Sequence, residues 1–239
     1  MKRAILDRLL KDRAAKHAVV LVTDLQSGTQ ALVYQQEVLG DLPLDGDGLA
    51  RIREALEADE SGTLELGGKR LFLQVQNPPL RLIVIGAVHI AQTLALMAAL
   101  AGYSVTIIDP RRAFATDARF PDVKLLGEWP DEAMATMKLD RRTAVVTLTH
   151  DPKLDDPALQ TALKADVFYI GALGSRKTHA ARLGRLKAAG FGDADCARIH
   201  GPVGLDIGAL SPAEIAVSIL AQITAVLRGT ADGRREKAA

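Results

Sequence analysis

The 239-residue chain is poor in cysteine, and Cys196 is its only one. One thiol cannot close an internal disulfide, which excludes a disulfide-stapled scaffold and fits a reducing, cytosolic setting. An excess of one charge is missing too. Thirty Lys and Arg against 29 Asp and Glu leave a formal net charge of +1, so no broad basic surface for nucleic acid is implied. The only block of charge is the short tail Arg234-Arg235-Glu236-Lys237. No secretory signal is expected, because Asp7, Lys11 and Asp12 interrupt any apolar run after the basic start. No internal repeat is visible. The most apolar stretch, Leu82 to Leu100, approaches the length of a membrane span. Its texture argues otherwise: β-branched residues, then Gly86, then an Ala/Leu/Met run, the pattern of buried strand, turn and helix.

The first 78 residues predict a small α+β domain. Ile5, Leu6, Leu9 and Leu10 recur at helical spacing. Ala18–Val22 and Ala31–Tyr34 read as strands paired across Gln26-Ser27-Gly28-Thr29. Leu49–Ala58 reads as a helix, and Thr63–Leu66 with Arg70–Val75 as a hairpin around Gly67-Gly68. Asn77-Pro78-Pro79 breaks the pattern and marks a boundary.

From residue 79 to 228 strand and helix alternate. Strands are expected at Arg81–Ile85, Ser104–Ile108, Val123–Leu126, Thr143–Thr147 and Val167–Ile170. Helices are expected at His89–Ala101, Pro157–Lys164, Lys177–Ala189 and Pro212–Leu227. Short apolar strands joined by helices predict an α/β fold, a Rossmann-like doubly wound and mostly parallel sheet with right-handed crossovers. Ser211, Pro212 and Glu214 form a helix start signal with a capping box. Residues 229–239 are polar and predict a flexible tail.

Open parallel sheets bind ligands beyond the carboxyl ends of their strands, and the candidate chemistry lies there. Gly86-Ala87-Val88-His89-Ile90-Ala91 stands where a dinucleotide fingerprint would stand, and Asp109 follows Gly86 by 23 residues, placed to accept from a ribose. The middle glycine is absent, with Val88 in its place. A β-branched side chain there pushes a phosphate outward or blocks it. Further along are Thr149-His150-Asp151 and the turn Gly171-Ala172-Leu173-Gly174 before Ser175-Arg176-Lys177. The latter is not a P-loop, but glycines and two cations at a helix start suit an anion as well as a solvated basic surface. Asp206 lies between Gly204 and Gly208, where a ligand or a helix must approach closely. His150, His179, His200 and Asp206 carry no recognised metal spacing, and no metal or catalytic residue is assigned. Cys196 lacks a CxxC partner and reads as structural.

Together these segments resemble the C-terminal domain of the XdhC/CoxI family. They are Gly86-Ala87-x-His89-x-Ala91, Asp109 with Arg111, Arg119-Phe120-Pro121, Thr149-His150-Asp151, Tyr169 through Arg176, and Gly204 through Ile219. The resemblance implies a cytoplasmic accessory protein, not a catalyst. It implies that such a protein binds molybdenum cofactor, as molybdopterin or its cytosine dinucleotide, and delivers it to an apo molybdenum hydroxylase. It also implies a homodimer and help with forming the cofactor's terminal sulfido ligand through a cysteine desulfurase. Gly86, Ala87, Val88, His89, Asp109, Arg111, Thr149, His150, Gly171, Gly174, Ser175, Arg176, Lys177 and Asp206 would frame the cofactor site. The first 80 residues depart from the family pattern, lacking its Gly-Ser-x-Pro-Arg loop and Gly-Gly-Gly-Cys segment. Val88 is a second departure. Two alternatives stand beside this reading: an NAD(P)-dependent oxidoreductase, and an interaction protein that docks on the molybdoenzyme without a ligand.

Overall fold

The fold was established from a computed structural model that describes residues 2–229. The tail expected beyond Gly229 lies outside the described residues. The chain forms two compact units, Met1–Pro78 and Pro79–Ala239.

The first unit contains α1 (Arg3–Ala14), β1 (Val19–Asp24), β2 (Gln30–Val33), β3 (Val38–Gly40), α2 (Gly46–Ala58), β4 (Gly62–Leu66) and β5 (Lys69–Gln76). The strands form one antiparallel sheet in the order β3-β2-β1-β5-β4. β1 is central and apolar at successive positions because both its faces are covered. Val19 and Leu21 meet Ile5 and Leu9 of α1, while Val20 and Val22 meet Ile52 and Leu56 of α2. The hairpin around Gly67-Gly68 pairs Leu66 with Lys69, as a two-residue turn requires. β3 was not foreseen; three residues are too few for alternation to be legible.

The second unit contains β6 (Arg81–Ile85), α3 (His89–Leu100), β7 (Ser104–Ile108), β8 (Lys124–Leu126), α4 (Pro130–Ala135), β9 (Thr143–Thr147), α5 (Pro152–Leu163), β10 (Tyr169–Ala172), α6 (Arg176–Ala188), α7 (Asp193–Ala197), β11 (Ile199–His200) and α8 (Pro212–Leu227). All pairings in its sheet are parallel, in the order β11-β10-β9-β6-β7-β8. This is the doubly wound α/β arrangement expected from the alternation. Leu82 and Val84 pack toward α3 and α8 on one face. Ile83 and Ile85 pack toward α4, α5 and α6 on the other. The strands are therefore continuous apolar runs, buried on both sides.

Several boundaries differ from expectation, two of them beside the candidate site. α5 begins at Pro152, five residues early, because Asp151 caps it by accepting from the Lys153 amide. Pro157 is inside the helix, where its ring removes only the hydrogen bond to the Lys153 carbonyl. β10 runs two residues further than foreseen: Gly171 and Ala172 look like turn residues but pair with Val146 and Thr147. α4 and α7 were missed, being too short to show a helical period.

The α3 stripe yields a direct check of the layering. Leu94 is fully buried, whereas Leu96 is 63% exposed. Leu94→Ala is expected to cost about 2–5 kcal/mol in urea unfolding, and Leu96→Ala less than about 0.5 kcal/mol.

Candidate functional site

Because the sheet is parallel, every strand of the second unit ends at the same edge. The strand order reverses between β6 and β9, and a crevice opens beyond such a point. The turn after β6 and the loop after β9 meet there. Gly86 has φ +107°, and a Cβ on it would lie 2.5 Å from Thr149 Cγ2, so only glycine lets the two approach.

The two peptides that flank the next residue, Ala87, are both held. The Ala87 amide donates to Asp109 Oδ2 at 2.8 Å, and the Ala87 carbonyl accepts from Arg119 Nη1 at 2.9 Å. Asp109 also accepts from the Arg111 amide (3.0 Å), Arg111 Nε (2.8 Å) and Arg111 Nη2 (2.8 Å), and it is fully buried. A carboxylate offers about four acceptor sites, and all are taken. Burial alone pushes the Asp109 carboxyl up; the hydrogen bonds from Arg111 and Ala87 outweigh it and hold the group below its ordinary value. This corrects the ribose-accepting role expected of Asp109, since a ribose hydroxyl would first have to displace Arg111 or the turn itself. The expected role of Arg111 changes with it. Its guanidinium is bonded to Asp109 and lies over the Phe114 ring.

Thr149 is also engaged internally. Its hydroxyl donates to Asp155 Oδ1 at 2.6 Å and accepts from the Asp151 amide at 3.1 Å. Gly171 is a further correction. It is buried inside β10, and a Cβ there would meet Val203 at 2.5 Å and the Tyr169 ring at 2.9 Å. Its smallness serves packing, not the approach of a ligand. Close approach at Gly204 is likewise explained by α8, since Ser218 fills the space beside it.

The remaining candidates face outward. His89, the first residue of α3, is exposed, and Val88 is half-buried as the N-cap with no side-chain cap bond. His150 is exposed with φ +61°. Gly174 leads into α6, where Ser175 caps by accepting from the Thr178 amide at 3.1 Å. Arg176 and Lys177 follow, exposed and with no ion pair among the described residues; the first turn of α6 holds no acid. Asp206 is exposed in the segment between β11 and α8. The other histidines do not join them. His200 stacks on Tyr169 with ring centroids 4.9 Å apart, and the His179 ring fills the space beside Gly201. No cluster of three or more His, Cys, Asp or Glu suited to a metal occurs among the described residues.

The matching family model, the XdhC Rossmann domain, covers residues 82–223. The chain belongs to the XdhC family. A molybdenum cofactor insertion chaperone of Escherichia coli K12, PaoD, is 35% identical over 149 residues, or 62% of this chain and 41% of PaoD. A probable xanthine dehydrogenase subunit of Bacillus subtilis 168 is 35% identical over 154 residues, or 64% of this chain and 44% of that protein. This XdhC-family chain thus spans less than half the length of these curated relatives. The crystal structure of a protein described as a xanthine dehydrogenase from Bacillus halodurans superposes with a TM-score of 0.75 at 25% identity, covering 95% of this chain and 67% of that one.

Two residues of this rim carried no local signal. Asp155 lies in a capped helix start and Arg182 in a strongly basic helix, so both look like surface charges. They are 1% exposed and 3.6 Å apart. Burial pushes the Asp155 carboxyl up and the Arg182 guanidinium down, each against the pull of the other's charge. Arg119 stands in a motif shared with the family, but only its contacts reveal a clamp on the turn.

Asp109→Asn removes acceptor capacity from a buried anchor and is expected to cost about 1–3 kcal/mol at pH 7, at the low end because Arg111 is partly solvated. A carboxyl held below its unfolded value, near 3.9, stabilises the fold above that pH and ceases to do so as pH falls through the folded value. The gap in urea midpoint between wild type and variant should therefore be wide at pH 7 and close below about pH 4.

Proposed function

We propose that this chain holds molybdenum cofactor, as molybdopterin or its cytosine dinucleotide, for delivery to an apo molybdenum hydroxylase of the xanthine dehydrogenase family. Membership of the XdhC family and similarity to a cofactor insertion chaperone support this reading. The observation that carries it is the start of α6, where free amides and two unpaired cations stand on the strand-end edge of the sheet. The cargo is anionic through its phosphate, and a helix N-terminus without acidic residues favours an anion. Arg176 and Lys177 would hold the phosphate, with Gly174 and Ser175 supplying close backbone. Val88, His89, His150 and Asp206 would line the remainder of the site. The saturated Asp109 argues against conventional recognition of an NAD(P) ribose.

No catalytic residue is needed for this role. Cys196, the only thiol in this chain, is 4% exposed within the core, so it offers no surface sulfur. Formation of the sulfido ligand would fall to a cysteine desulfurase partner. No helix among the described residues is long and apolar enough to cross a membrane; a cytoplasmic, homodimeric carrier is the form proposed. The apolar groove between α3 and α8, about 730 Å³ and lined by Leu100, Val217 and Leu220, is surface such a dimer would cover.

Native mass spectrometry of the purified chain after incubation with each cofactor form tests the central claim. Retention of a pterin supports it, and an unliganded mass with both forms rejects it. Arg176→Ala with Lys177→Ala is expected to weaken uptake at least about tenfold, as loss of charge-assisted hydrogen bonds would. Val88→Gly should tighten it by opening the phosphate turn; unchanged affinity would count against that geometry. Light scattering should give twice the chain mass, and Leu100→Asp should return it to one.

A further inference from the structure

Buried polar atoms without a hydrogen-bond partner concentrate on three residues beside the β10–α6 loop: Asp155 Oδ2, His179 Nδ1, and Arg182 Nε and Nη1. Stability accounts poorly for Asp155 and Arg182. Removing two charges from water is costly, and an ion pair recovers that cost only with good hydrogen bonds. At 3.6 Å this pair forms none between its members.

Their other contacts suggest what they do. Asp155 Oδ1 accepts from Thr149, the residue pressed against Gly86 after β9. Arg182 Nη2 donates to the Leu173 carbonyl at 2.8 Å, in the loop after β10. That same Nη2 lies 3.8 Å from the position a Cβ on Gly174 would take. One path of contacts thus runs from the Gly86 turn through Thr149, Asp155 and Arg182 to the loop that presents Ser175, Arg176 and Lys177.

We propose that Asp155 and Arg182 are positioning residues whose buried ion pair couples the loop after β9 to the loop after β10, fixing the anion-facing start of α6 relative to the Gly86 turn. The coupling itself stands on these contacts alone; its effect on cargo affinity rests on the cofactor-carrier reading.

Hydrogen exchange of the full chain, resolved by segment, tests the coupling. Asp155→Asn keeps an oxygen for Thr149 but removes the charge; Arg182→Met removes the partner. Each is expected to speed exchange about tenfold in both 148–151 and 173–178, the scale of coupling within a shared network. Exchange in α3 and α8 should rise by no more than the measured loss of global stability accounts for. Arg182→Met strands a buried carboxylate and will lower the melting temperature. The double variant, with neither charge, should recover part of that loss while both loops still exchange fast. A double variant that restores slow exchange along with stability would overturn the proposal, as would Asp155→Asn accelerating only 148–151. Molybdopterin cytosine dinucleotide should bind about tenfold more weakly to all three variants. If the wild type takes up no pterin, the carrier reading fails and exchange alone decides the coupling.

Discussion

The Asp109 carboxylate is the constraint from which the strand-end edge is built. A fully buried charge is tolerated only when its acceptors are filled, and here one backbone amide of the Gly86 turn and three Arg111 donors fill them. The turn after β6 is thereby tied to the end of β7. Arg119 completes the clamp by donating to the carbonyl of the same residue, in the following peptide. With Ala87 immobile, Gly86 is held in the conformation that presses against Thr149. The point where the strand order reverses is thereby tied to the end of β7 and packed against the loop after β9.

From that point outward the polar residues divide into two kinds. Asp109, Arg111, Thr149, Asp155 and Arg182 engage one another or the backbone, and the acids among them are buried. His89, His150, Ser175, Arg176, Lys177 and Asp206 face solvent. The first group sets geometry and the second is exposed at the surface. This division explains how an XdhC-family fold can keep the strand, turn, helix and acid of a dinucleotide site while offering the acid to no ribose. The acid is part of the scaffold, and Arg176 and Lys177 stand exposed at the start of α6 with no ion pair among the described residues.

Much of the layout was legible in short windows of sequence. β-branched runs marked β6, β7 and β9, and Ser211-Pro212 with Glu214 marked the start of α8, where the capping box is present. The misreadings share a physical cause. Gly171 looked like a turn residue because a glycine does not advertise which neighbours crowd it, and those neighbours include Val203, far along the chain. The helix was expected only from Pro157 because the cap that starts it at Pro152 is a single side-chain bond from Asp151. Asp155 and Arg182 were not singled out because nothing within one helical turn tells that a charged residue is covered.

Local residue choice was therefore enough for the identity of the longer strands and helices, for the parallel doubly wound class and for the family, since steric preferences, caps and hydrophobic period act over a few neighbouring residues. The state of each polar group was decided by the folded arrangement. Whether the lone pairs of Asp109 are free depends on an amide 22 residues earlier, and whether Arg182 is exposed depends on helices and loops that close over it. Hydrogen-bond saturation is a property of atoms brought together through space, and no stretch of chain encodes it alone.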